Sequence, residues 1–302
     1  MRWQHIRLAL TASALGHDPR RAARTGREMG IAGLQFDARS ALIDLTTLSS
    51  TGRREFLHIL SSQDQQLAGL SAALGDRGLG PSADVDRELD FLDKVMDTAR
   101  GMATPLVCLD LGPLPEPLRE AAPRPRVSAD MAGSIIVPGV SQMEPLEPAR
   151  APGRAVDPVA AASVEAGMEE LGRRADRCGV ILAVRSDLSS FAALDKTLKD
   201  ANCPWFGIDL DPVAILRDAW NLDEVFSRMG GLIRHVRGRD AVSGADRRTR
   251  PAIVGRGATP WNDLLADLDA AGYAGWLTID PTDLSDRLGA ASGAVAFLQS
   301  LE

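Results

Sequence analysis

The segment IVGRGATPWNDLLADLDAAGYAGWLTIDPTD, residues 253–283, reads as a turn, a helix and a buried strand in that order. Thr259 before Pro260 is an N-cap followed by proline in the first helical position, where the missing N–H removes no hydrogen bond. Gly272 then ends the predicted helix 260–271, because glycine enters the left-handed conformation of a helix C-terminus without a Cβ clash. GWLTID, 275–280, stays apolar as far as Asp280, as expected of a strand covered on both faces up to its solvent-facing end.

Outward from this segment the same alternation repeats. Short apolar runs predict strands at 6–13, 33–37, 67–74, 105–111, 180–186, 205–211, 232–239 and 275–280. Helix-period segments lie between them at 18–29, 52–64, 84–101, 157–178, 190–201, 213–229 and 260–271, with a last one at 286–301. Eight strand–helix units predict the α/β class and a (β/α)8 TIM barrel, one domain over residues 1–302. The rival, an open doubly wound sheet, needs a Gly-rich phosphate loop after the first strand, and ALTASALGHD offers one glycine.

Composition narrows the function classes. The chain has 302 residues, 45% hydrophobic and 25% charged, enough for a well-filled core. A net charge of -7 opposes binding to a nucleic-acid backbone, which needs a basic face. The basic runs RGRD (237–240) and DRRTR (246–250) read as solvated loops, with Arg237 the residue of interest. Cys108, Cys178 and Cys203 are odd in number and form no CxxC, so neither a disulfide framework nor a zinc site is expected, and a reducing cytoplasm is the simplest setting. The start, MRWQHIRLALTASALG, has the outline of a weak secretion signal, but Thr11 and Ser13 break its apolar run and the same residues serve as a first strand. No segment approaches the roughly 20 apolar residues of a membrane helix.

The irregular stretch is 112–156, which holds nine of the chain's 18 prolines and so excludes a regular helix over most of its length. As an insertion after strand four it would emerge at the C-terminal face of a barrel, as a lid or a mobile loop, with SIIVPGV apolar enough to cover the mouth.

Two further motifs accompany 253–283: GIDLDP at 207–212 and HVRGRD at 235–240. Together they resemble the closing strands of the xylose isomerase-like TIM barrels, the sugar isomerase and epimerase superfamily. There the matching motifs read GLNxDPSH, HVHxKD, and a GxG–helix–GYxG unit whose strand ends in an acid. The resemblance implies a divalent cation such as Mn²⁺ at the barrel mouth, held by a Glu on strand five, an Asp on strand six, a His on strand seven and a Glu on strand eight. The first and last of these carboxylates would move a proton between adjacent carbons of a sugar.

Carried over position by position, the set changes. Asp211 keeps the strand-six aspartate, although Ala214 replaces the following His, and Asp280 stands in place of the strand-eight Glu. Arg185 occupies the strand-five Glu position and Arg237 the strand-seven His position. Arginine has no lone pair to give a metal and stays protonated, so no metal and no other cofactor is expected. Two Arg and two Asp cancel formally, which predicts a paired network: Arg237 with Asp211 on the neighbouring strand, completed by Arg185 or Asp280. Asp209 is expected to pair inside the barrel, since an unpaired buried carboxylate is costly.

The resemblance with this altered set predicts a barrel without its relatives' metal chemistry, either a non-catalytic protein whose Arg and Asp satisfy one another or one that binds a small sugar, polyol or organic acid. Substrate-binding candidates are Arg185, Arg237, Arg239, His17 after the first strand, and His235, which also fits a plain core histidine. The alternative is a sugar isomerase or epimerase with Asp280 or Asp211 as base and an arginine stabilising the enediolate. A DNA-repair endonuclease on this fold would need a His-rich metal cluster, which His5, His17, His58 and His235 do not form by spacing. Gly255–Gly257 reads as a turn, and Trp205, Trp220, Trp261 and Trp276 as packing residues.

Overall fold

The computed structural model describes residues 5–16, 18–117, 157–218, 220–244 and 249–301. His17 and most of the proline-rich stretch, 118–156, lie outside these residues. The strands in chain order are β1 (Arg7–Thr11), β2 (Gly33–Asp37), β3 (Gln66–Ala73), β4 (Leu106–Asp110), β5 (Ile181–Arg185), β6 (Phe206–Leu210), β7 (Ile233–Gly238), β8 (Asp240–Ser243), β9 (Thr249–Ala252) and β10 (Trp276–Ile279). Eight of them close a barrel in the order β1-β10-β7-β6-β5-β4-β3-β2, while β8 and β9 form a separate antiparallel hairpin where the basic runs predict solvated loops.

The helices are α1 (Pro19–Glu28), α2 (Ser50–Ser61), α3 (Val85–Gly101), α4 (Pro158–Cys178), α5 (Phe191–Ala201), α6 (Pro212–Asp218), α7 (Leu222–Met229), α8 (Trp261–Ala270) and α9 (Arg287–Ser300). Side-chain caps set many of their starts: Asp18, Ser49, Asp84, Asp157, Ser190 and Asp286 each accept a backbone N–H of the first turn. The helix predicted at 213–229 is two helices, because Asn221 accepts the Glu224 N–H and starts α7 afresh. Thr259 does not cap α8 as expected. Its N–H is taken by Asp240, its Oγ1 has no partner among the described residues, and the helix begins after Pro260. Among the described residues no helix is long and apolar enough to cross a membrane.

Strand alternation divides the side chains into two sets. Leu10, Leu34, Leu70, Leu109, Val184 and Leu277 belong to the large core between the barrel and its helices. The alternate set fills the barrel interior and is unusually polar. At its N-terminal end Ala9, Ala68 and Trp276 form a small apolar plug. The plug requires glycine at 33, where a Cβ would come within 2.6 Å of the Trp276 ring. Above it sit buried Thr11, Gln35, Cys108, Asp209, His235 and Thr278. Asp37, Ser71, Asp110, Arg185, Arg237 and Asp280 end the same rows at the C-terminal mouth.

Candidate functional site

Asp209 on β6 is the centre of the interior. It is 1% exposed, and its Oδ1 lies 2.6 Å from His235 Nδ1 while Oδ2 accepts Arg237 Nε at 2.8 Å and Arg185 Nη1 at 3.5 Å. Arg237 continues outward, donating from Nη1 to Asp280 Oδ2 at 3.0 Å. Arg185 is tied on its other side to Asp110, at 3.2 Å, and to Asp187, at 3.1 Å. Arg239 joins Asp211 to Asp283 at 2.7 and 2.6 Å.

The pairing therefore differs from the one expected. Arg237 holds Asp209 and Asp280, and Asp211 holds Arg239. The ladder sets Asp209 opposite His235, but Asp211 lies just past the end of β6 and turns to the Val213 N–H and to Arg239, which leaves Arg237 to Asp209 and Asp280. The charge balance differs as well: Arg185, Arg237 and Arg239 meet Asp110, Asp187, Asp209, Asp211, Asp280 and Asp283, three cations against six carboxylates.

Burial alone would raise the Asp209 carboxyl, but Arg237, then His235 and Arg185, outweigh it and hold the group ionised well below the usual carboxylate range. At Asp280 burial is likewise overcome, by Arg237, Thr282 and Arg239, and its pKa is lowered. Asp110 goes the other way, because burial there exceeds the pull of Arg185. The Cys108 thiol is pushed up by burial and by the Asp209 charge, which keeps it protonated.

A carboxylate can only accept, so His235 gives its Nδ1–H to Asp209, and Nε2 faces the other way. Thr278 Oγ1 lies 2.7 Å and Gln35 Nε2 3.4 Å from that nitrogen. The order acid, imidazole, hydroxyl is that of a nucleophilic triad. Thr278 is only 1% exposed and lines neither cavity described below, so it reaches no substrate and the relay is a core lock.

Two cavities open near the network. One, of about 540 Å³, lies at the mouth over β1, β2 and β3, with Thr11, Gln35, Asp37 and Ser71 on one wall and Arg185, Arg237 and Asp280 on the other. Arg39, Arg87, Glu88 and Phe91 form its rim, and the Arg39 guanidinium stacks 4.4 Å from the Phe91 ring centroid. The second, of about 240 Å³, lies beneath the β8–β9 hairpin and includes Arg239, Asp280 and Asp283.

Of the residues singled out by sequence, Arg185, Arg237 and Asp280 converge on the larger cavity, and Arg239 faces the smaller one. Asp211 lines neither, because its Oδ1 accepts the Val213 N–H and its Oδ2 the Arg239 guanidinium. His235, proposed as a ligand contact, is 0% exposed and lies beneath the cavity floor. Sequence reasoning missed Thr11, Gln35 and Ser71, which carry no motif. The available signal was their position at the C-terminal ends of strands, with Gln35 and Asp37 two residues apart on one face.

The four positions that would hold a cation do not suit one. Arg185 and Arg237 offer only donors, and Asp211 turns away to Arg239. Among the described residues, the grouping of ligand atoms within 4.8 Å of one another is Cys108, Asp209 and His235. It is wholly buried, its thiol is held protonated, and Asp209 already carries two guanidinium groups.

The xylose isomerase-like TIM barrel family matches residues 23–301, and the chain belongs to it. A xylose isomerase domain protein from Planctomyces limnophilus superposes with a TM-score of 0.70 at 16% identity, covering 98% of this chain and 96% of that one. D-psicose 3-epimerase from Clostridium cellulolyticum H10, solved with D-tagatose, gives 0.67 at 12% identity over 98% and 99%. The probable 3-DHS dehydratase AsbF of Bacillus anthracis gives 0.71 at 12% identity over 97% and 99%. At such identities the likeness speaks for the fold. No curated protein sequence matches the chain.

Proposed function

We propose that this barrel binds a neutral polyhydroxylated small molecule in the cavity at its mouth, without a divalent metal and without moving a proton at carbon. The observation that carries the reading is the commitment of Arg237: Nε is given to Asp209 and Nη1 to Asp280, while only Nη2 has no partner among the described residues. One free nitrogen is not the two-pronged fork that clamps a carboxylate or phosphate. Hydroxyl groups suit a cavity that alternates donors and acceptors, and D-tagatose in one structural neighbour makes ketohexoses the first probes.

Of the two bases expected from the sequence, Asp280 is the one that reaches the cavity, and proton transfer is disfavoured there. Asp280 receives Arg237 on Oδ2 and Thr282, through both N–H and hydroxyl, on Oδ1. A carboxylate so engaged, with its pKa lowered, is a weak base.

Calorimetric titration of D-psicose, D-fructose and D-tagatose, with and without EDTA, tests the reading. Binding insensitive to EDTA, no stoichiometric metal by elemental analysis, and no epimerised product are the expected results. Tightly held manganese, or epimerisation abolished by EDTA, would overturn it. The double variant Arg185→Glu with Arg237→His is expected to gain Mn²⁺ affinity. Absence of any gain argues against the positional correspondence with metal-bearing relatives.

A further inference from the structure

We infer that Gln35 on β2 reads a ligand hydroxyl at the cavity floor, with the sense of its amide set from inside the barrel by Asp209 and His235. This rests on the binding reading above and specifies what part of the ligand is recognised.

The argument follows a directed chain of hydrogen bonds. Asp209 accepts from His235 Nδ1, and in the neutral ring that this proposal takes, the Nε2 lone pair faces Thr278 Oγ1 at 2.7 Å on β10 and Gln35 Nε2 at 3.4 Å on β2. Of the two ends of the Gln35 amide, the nitrogen stands beside that lone pair, and it donates to Cys108 Sγ at 3.1 Å. A flipped amide would set the carbonyl oxygen against the imidazole lone pair. Oε1 must therefore point the other way.

There it has no hydrogen-bond partner among the described residues and is not sealed from solvent. Gln35 is 2% exposed and lines the 540 Å³ cavity, so the little surface it keeps belongs to that space. Arg237, 5% exposed, presents Nη2 to the same space as a donor. An acceptor and a donor, each immobilised by buried partners, share one cavity.

That pair complements an O–H donor beside an oxygen acceptor, as in an α-hydroxycarbonyl or a vicinal diol. A carboxylate in the same place would meet the Oε1 lone pairs with no proton to offer. The floor therefore selects a ketose or polyol over the corresponding hydroxy acid. Gln35 is the binding residue, and His235 is a positioning residue acting through it.

The test titrates D-psicose, D-fructose and D-gluconate into the full chain and into Gln35→Met, which keeps the side-chain size and removes both amide functions. The ketose is expected to bind about five- to tenfold more weakly to the variant, the loss of one hydrogen bond. D-gluconate is expected to bind the wild type more weakly than the ketoses do. Imidazole ¹⁵N shifts provide a readout that a merely structural histidine would not fix: Nδ1 protonated and Nε2 bare. A proton on Nε2 overturns the proposal, since Gln35 would then turn its oxygen inward. Equal ketose affinity in Gln35→Met, or D-gluconate binding as tightly as the ketoses, defeats this inference and leaves the mouth-binding reading standing. If no ketose binds the wild type, the mouth-binding reading fails and this inference falls with it.

Discussion

On the β4 to β7 and β10 side of the mouth, charged side chains are satisfied by one another, whereas on the β1 to β3 side small neutral groups keep atoms to spare. Asp209 alone holds His235, Arg237 and Arg185, and Arg185 has all three nitrogens engaged. Across the cavity, Gln35 Oε1 makes no hydrogen bond among the described residues, and Thr11 Oγ1 makes none either. The difference teaches that formal charge at a mouth is a poor guide to what the mouth recognises. Ions that saturate each other hold the barrel together, and recognition falls to the neutral atoms left over.

The comparison breaks most visibly if the ionic half is not structural. Asp209→Ala would leave two guanidinium groups and an imidazole N–H buried without their acceptor. Removing one partner of such a buried set costs about 3–5 kcal/mol, measured as the change in urea unfolding free energy. A loss near zero would mean that water reaches Arg237 freely and that the two halves do not differ in kind.

Acid titration sharpens the same contrast with a smaller effect. Asp209, Asp280 and Asp187 have folded pKa values lowered by their arginines against burial. Their stabilisation is complete above the unfolded carboxylate pKa of about 4 and is lost as pH falls below it toward the folded values. Asp110, whose pKa is raised, has the opposite sign and regains stability as pH falls through its folded value. The urea midpoint should stay flat from neutral pH until about pH 4 and fall below it, with a shallower fall in Asp280→Asn. A decline that begins near neutral pH would implicate groups outside the network.

The barrel was legible because each strand carries an apolar run and most helices a capping residue, signals that depend on neighbours along the chain. The break at Asn221 and the β8–β9 hairpin escaped because a seven-residue helix and four-residue strands are shorter than the patterns that reveal them. At the site, Arg185, Arg237 and Asp280 were legible through position at strand ends, but their pairing was not. Which carboxylate Arg237 reaches depends on Asp211 turning, past the end of β6, to the Val213 N–H and Arg239, and no periodicity within one strand records such a turn. Gln35 escaped for a different reason. A lone glutamine on a strand becomes a recognition group only when an imidazole on a strand across the barrel fixes which end of its amide faces out.

Thr11→Val is the smallest and most discriminating change. Thr11 Oγ1 is buried without a partner among the described residues, on a residue 7% exposed at the edge of the cavity. Such an atom costs its desolvation and returns nothing, so replacing the hydroxyl by a methyl of the same shape should raise stability by about 1 kcal/mol in urea unfolding. A loss instead would mean that the hydroxyl is bonded, through an ordered water, and that the neutral side is as saturated as the ionic one. Ketose titration of the same variant then marks the extent of the open side. Unchanged affinity confines recognition to Gln35 and Arg237, while weaker binding extends it to β1, where the sealed Thr11 hydroxyl, without a partner among the described residues, would have to turn toward the ligand.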